Sequence, residues 1–468
     1  MVIFSFLIFI ILFFAVGILS IKWHKNTTKD YLLAGRSISP WNAALSAAAT
    51  SCSGFMFIGL IGFAYTNGLS TLWFIFGRAI GDLMVTLWIY PKLYKKSFDN
   101  DKMTFSSVLS SWNGEDMKIV RIASALIIIT FLTIYASAQF SAGGKALYAI
   151  FGWNYKIGII SGAILVLTYC FTGGIRASIL TDVVQFIVML LAMLILLVSM
   201  SSNMGGFNSS IAQLQNINSG QYLNIWHHDT AFNIVLFIIG WLFNGISVLG
   251  QPQIVIRTLT IKAKDVIKTQ ISCVSAIVLF SLLAIAVGIG TRLFFDYTNF
   301  DQELALPLIA KNILPNWLTG IVLAGIFASV ISTADSQILS CSAAITEDVL
   351  GKDSYSLSKI STLIITVVIV LISLNESSSI FKLIVFAWSA LGSAFAPIII
   401  LSALGYKISQ RTMLIMMLSA ITTIVIWHHQ RLDYIVYSAF PGCVIPALIF
   451  LTSQLYSKAY IKLKNKIE

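Results

Sequence analysis

Long apolar runs of 18 to 32 residues follow one another along almost the whole chain, and short polar connectors between them carry most of the charge. Water cannot hold such a series. A bilayer can, because its hydrocarbon layer of about 30 Å is crossed by about 20 apolar residues in a helix. In lipid each backbone polar group has to be satisfied within its own segment, so each run is expected to be helical. The spacing predicts thirteen spans, at 3–22, 41–67, 70–93, 119–150, 155–173, 176–201, 231–256, 266–292, 318–345, 356–374, 379–404, 410–427 and 433–456. Charged residues make up only 10% of the chain, against roughly 25% in soluble domains. That excludes an ordinary soluble enzyme, a disordered chain and a secreted disulfide scaffold. The first run, Val2–Ile21, has neither a basic leader nor a small-residue cleavage site. It reads as a retained span rather than a secretion signal. The five cysteines all fall inside apolar runs, at no metal-ligand spacing, and read as small buried residues.

The net charge of +11 is a topology signal and not a nucleic-acid footprint, since the Lys and Arg residues sit in small groups between spans. With the N-terminus outside, 23 of the 30 basic residues fall on the cytoplasmic side and six outside, with Arg78 inside a span. The positive-inside rule therefore places the N-terminus outside and the C-terminus in the cytoplasm, in a membrane expected to be a bacterial inner membrane. The connector 202–230 is rich in Asn, Ser, Gly and Gln and reads as a polar external loop. Two histidine pairs, His227–His228 and His428–His429, map outside and read as solvated loop residues rather than a shared metal site.

Polar residues inside spans are costly, so their clusters are candidate sites. In the second span Ser46, Thr50, Ser51, Ser53 and Gly54 crowd one stretch. Hydroxyls and a glycine allow a helix to unwind and expose carbonyl oxygens to a cation. In the ninth span Ser329, Ser332, Thr333, Asp335, Ser336 and Ser340 recur at helical offsets. This oxygen set suits a small hard cation such as Na+ and no soft metal. Asp182 in the sixth span either pairs locally with Arg176 or meets the carboxylate and hydroxyls of the ninth. In the seventh span Asn244, Gly245, Ser247, Gly250, Gln251 and Pro252 mark a second broken helix with donors and acceptors for a small solute. Arg78 and Asp82, four residues apart, favour a structural ion pair over a substrate clamp.

The two broken spans lie five helices apart, and five is odd. Spans 2–6 and 7–11 are then two halves of opposite topology, the signature of an inverted-repeat secondary transporter. The chain divides into a leading helix and loop (1–40), a first repeat (41–201), an external loop with a second repeat (202–404), and two trailing helices with a basic tail (405–468). No phosphate loop, catalytic triad or paired-carboxylate site appears, so neither an enzyme nor an ATPase is expected.

Several stretches together resemble the sodium/solute symporters, most closely their sodium/proline branch. They are YLLAGRSISPWNAALSA, FLTIYASA, FTGGIRASILTDVVQ, GQPQIVIR, STADSQILSCSAAITED and FAWSALGSAFAP. The resemblance implies a LeuT-type 5+5 inverted repeat and Na+-coupled symport. It implies a sodium site from the carbonyls of Ala49, Cys52 and Ser329 with the side chains of Ser332 and Thr333. Some relatives hold a further Na+, which maps to Asp182, Ser332, Asp335 and Ser336. The expected solute-binding residues are Ser51, Ser53, Gly54, Tyr135, Asn244, Ser247, Gln251, Pro252 and Trp388, of which Tyr135 and Pro252 match the proline branch. Ser51 replaces an Asp of the proline branch, and Asn244 and Val248 replace its Trp and Tyr. The expected cargo is proline or a related amino acid. Another amino acid, an organic acid or a sugar-like compound is the alternative, and a membrane sensor a weaker one, since only about a dozen residues follow the last span. The expected partners are the solute, Na+ and the lipid bilayer, with no organic cofactor, nucleic acid or obligate protein partner.

Overall fold

The computed structural model describes residues 1–467 apart from 24, 227–229, 296–303 and 376–379, and leaves aside the side chains of 218, 219, 381, 434 and 456–467. His227–His228 lies outside the described residues. The described elements are all helical. Ten helices are long and apolar enough to cross a bilayer. Three further passages come from the broken second span, from a bend inside one very long helix, and from the apolar helix at the C-terminal end. The thirteen passages are numbered α1 to α13.

Helix α1 is Val2–Leu19. Helix α2 is composite: Pro40–Ser51, a wide π-type turn Phe55–Leu60, then Ile61–Asn67. Helix α3 is Leu72–Trp88 and α4 is Lys118–Phe151. Tyr155–Asn203 forms one run of 49 residues, about 74 Å if straight and far too long for one crossing. Gly174, at φ 55° and ψ −144°, divides it into α5 (155–173) and α6 (175–203). A Cβ there would stand 2.6 Å from the Tyr31 carbonyl oxygen, and the backbone is left-handed, so only glycine fits.

Helix α7 is again composite: Ala231–Ile246, a tight turn Ser247–Gly250, and Pro252–Leu259. Gln251 is extended, and Pro252 starts the second piece, where its missing N–H costs nothing. Helices α8 to α12 are Val266–Thr291, Asn316–Ala343, Tyr355–Ser373, Ile380–Ala403 and Gln410–His429. Helix α13 is Ala439–Ile467. Helix α9 runs on into a second wide turn, Ala344–Val349.

Burial separates centre from rim. The most apolar stretch of α9 is 83% buried and that of α1 only 17%. Helix α9 packs on α1, α4, α5 and α6, and α3 lies along α7. That second contact is backbone to backbone: a Cβ on Gly81 would overlap the Leu242 carbonyl oxygen, and one on Gly245 the Arg78 carbonyl oxygen. Small residues let membrane helices approach in this way. Gly81→Val is therefore expected to destabilise the protein by about 1–3 kcal/mol, read as a lower thermal unfolding midpoint in detergent. Ile80→Val, at a half-exposed position of the same helix, should leave the midpoint unchanged.

The stretch 202–230 differs from the expected loop. It holds a helix at Phe207–Gln215 and a 3-10 segment at Ile217–Leu223. Tyr222 is buried, and its hydroxyl donates to the carbonyls of Ala64 and Tyr65 at 3.1 and 2.9 Å, near the end of α2. A hydrophilic composition concealed this anchor. His428 ends α12 with Nδ1 3.8 Å from Asp433, and all five cysteines are buried and unpaired.

Candidate functional site

Helix α2 stops at Cys52, whose φ of −86° and ψ of 53° leave the helical region. The chain past the break is held by side chains: Gly54 N–H donates to Gln139 Oε1 at 2.9 Å, and Phe55 N–H to Ser53 Oγ at 3.2 Å. The Ser53 and Tyr135 hydroxyls are 3.1 Å apart. A cavity of about 290 Å³ lies against the break, lined by Ser51, Ser53, Phe55, Arg78, Tyr135, Trp241, Asn244, Trp388 and Tyr437 among others. Five of the nine expected solute residues therefore share one wall: Ser51, Ser53, Tyr135, Asn244 and Trp388.

The other four are placed elsewhere. Gly54 sits behind the break on Gln139. Ser247 turns its hydroxyl back onto the Phe243 carbonyl at 2.7 Å. Gln251 spans the break of α7, with Nε2 donating to the Trp388 carbonyl at 3.0 Å, and so ties α7 to α11. Pro252 lines a different cavity, with Tyr31, Thr104, Arg257 and Asp348. These four shape the broken helix and do not line the cavity. The line that the sequence drew through every polar position of α7 was too broad, because only one face of a helix points one way.

Sequence reasoning missed Phe55, Trp241, Arg78 as a lining residue, and Tyr437. Tyr437 precedes α13, outside both repeats, and nothing in the repeat pattern points to it. Its ring stacks on Trp241, with centroids 4.7 Å apart and planes at 15°, and Asn244 Nδ2 donates to its hydroxyl at 3.1 Å. Trp241 and Tyr437 also line a vestibule of about 1140 Å³ with Phe63, Phe232, Phe237 and Asp433. Trp241, Val385 and Tyr437 line both spaces, so the stacked pair is part of the partition between vestibule and cavity.

Behind the break, hydroxyls of α9 reach the freed carbonyls of α2. Ser332 Oγ donates to Ala49 O and to Ser329 O, both at 3.3 Å. Thr333 Oγ1 donates to Thr50 O at 3.1 Å and Ser329 O at 3.0 Å. Four of the five expected sodium residues thus converge on one point. Cys52 stands at the break, but these hydroxyls turn to Ala49 and Thr50 instead, which adds Thr50 O to the group. All these residues are buried. A hydroxyl proton can rotate away and present a lone pair, so the same oxygens that now bond one another suit a bare hard cation.

Deeper along α9 is a charged cluster. Ser46 Oγ donates to Asp182 Oδ2 at 2.6 Å, and Tyr169 O–H to Asp335 Oδ2 at 2.8 Å. Ser336 Oγ lies 2.9 Å from Asp335 Oδ1 and from Thr50 Oγ1. In their midst is Arg257, which is fully buried. Its Nη2 donates to Ser178 Oγ at 2.5 Å, Ser336 Oγ at 2.6 Å and Asp182 Oδ2 at 3.3 Å, and lies 3.9 Å from Asp335 Oδ1. Its Nε donates to Ser46 Oγ at 3.2 Å.

This corrects one expectation and decides another. Arg257 is not the loop residue of the topology count, which lowers the expected cytoplasmic count from 23 to 22. The hydropathy reading ends this span at 256, whereas Pro252–Leu259 stays helical beyond it and folds the guanidinium inward. Of the two alternatives for Asp182 the second holds: it joins the Asp335 and Ser336 cluster through Arg257, while Arg176 Nη2 lies 2.7 Å from Asp30. Of the four residues expected to hold a second Na+, Asp182, Asp335 and Ser336 surround Arg257, while the Ser332 hydroxyl faces the first group of oxygens.

Likenesses to known proteins bear on the fold and the family. A profile of the sodium:solute symporter family matches residues 31–420. The chain is 30% identical over 473 residues to the osmoregulated proline transporter OpuE of Bacillus subtilis (strain 168), covering 97% of this chain and 95% of that protein. It is 27% identical over 484 residues to the sodium/proline symporter of Escherichia coli (strain K12), covering 97% and 93%. Its fold matches a substrate-bound outward-open structure of a Na+-coupled sialic acid symporter, with a TM-score of 0.81 at 18% identity over 96% of both chains. A nucleobase-cation-symport-1 family transporter in a closed conformation with bromovinylhydantoin bound matches at a TM-score of 0.58 and 12% identity, over 90% and 93%. The broken helices, their five-helix offset and a family match over most of the length lead to one assignment: this integral membrane protein belongs to the sodium:solute symporter family.

Proposed function

We propose that the protein is a sodium-driven importer of a small organic solute, with proline or a related amino acid as cargo. The observation that carries this reading is the adjacency of two sites on one break. Ala49 and Thr50 of α2 offer carbonyls to α9, and Ser51 and Ser53, the next polar residues, line the cavity. An ion at the Ala49, Ser329, Ser332 and Thr333 oxygens would strap α2 to α9 and so set the shape of the solute cavity. Coupling then follows, because a ligand shifts an equilibrium only by its differential affinity for the two states.

In this reading the halves 41–201 and 202–404 rock about the cavity, flanked by 1–40 and 405–468. The Trp241–Tyr437 partition is the thin gate on the external side. The basic residues keep the opposite face in the cytoplasm of a bacterial inner membrane. A potential of about 100 mV supplies about 2.3 kcal/mol per charge, or roughly fifty-fold accumulation for each Na+ carried. The rings of Phe55, Tyr135, Trp241, Trp388 and Tyr437 offer an apolar surface to the carbon skeleton of an amino acid, in place of the aromatics that Asn244 and Val248 replace.

Purified protein in liposomes should concentrate labelled proline against its gradient when Na+ is directed inward, and should not when K+ replaces Na+. Equal rates in the two salts overturn sodium coupling. Equilibration without accumulation overturns active transport.

A further inference from the structure

Arg78 carries a charge in the membrane interior, where an unpartnered guanidinium is costly. It is 5% exposed. Its acidic neighbour is Asp82, one helical turn away, with Nε 3.6 Å from Oδ2. That distance is too long for a hydrogen bond. Nε and Nη2 of Arg78 are buried and have no hydrogen-bond partner, and Asp82 Oδ1 has none either. A purely structural pair would close into a fork, with its N–H groups on the carboxylate. This one stays open, and Arg78 lines the cavity while Asp82 does not.

The position of Arg78 is fixed from two sides. Its backbone is pressed against α7 at Gly245, and its guanidinium lies over the Trp388 ring, 5.4 Å from the centroid. Beside it, Ser51 Oγ is also buried and unpartnered. The cavity is therefore lined by a fixed cation whose Nε and Nη2 lack hydrogen-bond partners and by a hydroxyl that lacks one, among residues that are otherwise largely aromatic. A guanidinium fork is matched in shape and charge by a carboxylate.

We propose that Arg78, balanced by Asp82 and held over Trp388, receives the carboxylate of the transported solute, so that the cargo is a small carboxylate. The inference rests on the reading of this cavity as the solute site. Asp82 makes the site neutral when it is empty, which permits a charged residue in lipid at all. The incoming carboxylate then takes the N–H groups that Asp82 leaves free. The pair is at once structural and the recognition element.

The test pairs acids with their amides: proline with prolinamide, alanine with alaninamide, lactate with lactamide. Each is added to the purified full-length protein in Na+ or K+, and the thermal unfolding midpoint is read. At least one acid should raise the midpoint in Na+, and its amide should not. Arg78→Lys keeps the charge and loses the fork, so the acid concentration giving a half-maximal shift should rise about tenfold. The double variant Arg78→Gln/Asp82→Asn removes both charges without stranding either. It should lose the response to the acid and keep the response to Na+ alone. An amide as effective as its acid overturns the proposal, as does a double variant that still responds to the acid. Silence from every acid, with Na+ still stabilising, overturns the carboxylate assignment and leaves the sodium reading standing. Silence towards Na+ as well overturns the reading beneath it.

Discussion

Ser332→Ala and Thr333→Ala together are expected to raise the Na+ concentration for half-maximal uptake by about a hundredfold or more. Each hydroxyl is an oxygen lost to the ion, and an interaction with a charged group is worth about 1.5–3 kcal/mol. Each single substitution then costs about ten- to a hundredfold, at 1.4 kcal/mol per factor of ten. Ser329→Ala is the control that separates this from general damage. Its hydroxyl is taken by the Ile326 carbonyl at 2.7 Å, and it offers the cluster its backbone oxygen, which alanine keeps. Ser329→Ala should therefore stay within a few-fold of the parent. Initial uptake rates across a Na+ series at fixed ionic strength measure the four variants against the parent. Uptake independent of Na+ that survives the double substitution sinks the mechanism.

That cluster was legible in the sequence for a physical reason. Hydroxyls are rare enough in an apolar helix that four in two turns stand out, and lipid leaves them few other uses. The spans and the breaks in α2 and α7 were legible on the same ground, since a bilayer allows only helices and tolerates polar interruptions only where protein satisfies them. Arg257 was misread because it stands at the end of an apolar run, just before Lys262 and Lys264, and hydropathy contains no term for a side chain that folds back onto a buried carboxylate. Tyr437 was invisible because the trailing helices lie outside the repeat that focused attention on α2 and α7. The long-range pairing of Trp241 with Tyr437, across nearly 200 positions, leaves no local pattern at all. Arg78 was found as a pair with Asp82, but only the cavity beside it reveals that the pair is open.

The charged cluster carries the second large effect. Arg257→Gln is expected to destabilise the protein by about 3–5 kcal/mol, because it removes one side of a buried ion pair and leaves the other uncompensated. Asp182 and Asp335 would then face each other across the vacated space, with only Ser46, Tyr169 and Ser336 as donors. Little folded protein should be recovered from membranes. Adding Asp182→Asn should restore much of it, since Asp335 alone keeps both of its hydroxyl partners. If Arg257→Gln expresses and unfolds like the parent, the cluster is not holding the core.

The same arithmetic bears on stoichiometry. Two carboxylates and one guanidinium sum to −1 when all are ionised, and Asp182 Oδ1 has no partner. With both carboxylates ionised, one more cation would balance the cluster, and the oxygens of Asp182, Asp335 and Ser336 suit Na+. Asp182→Asn makes the cluster neutral with Arg257 in place. It should therefore preserve folding while lowering the Hill coefficient for Na+ towards one. A coefficient of one in the unmodified protein would mean that a proton, and not a second Na+, balances the cluster.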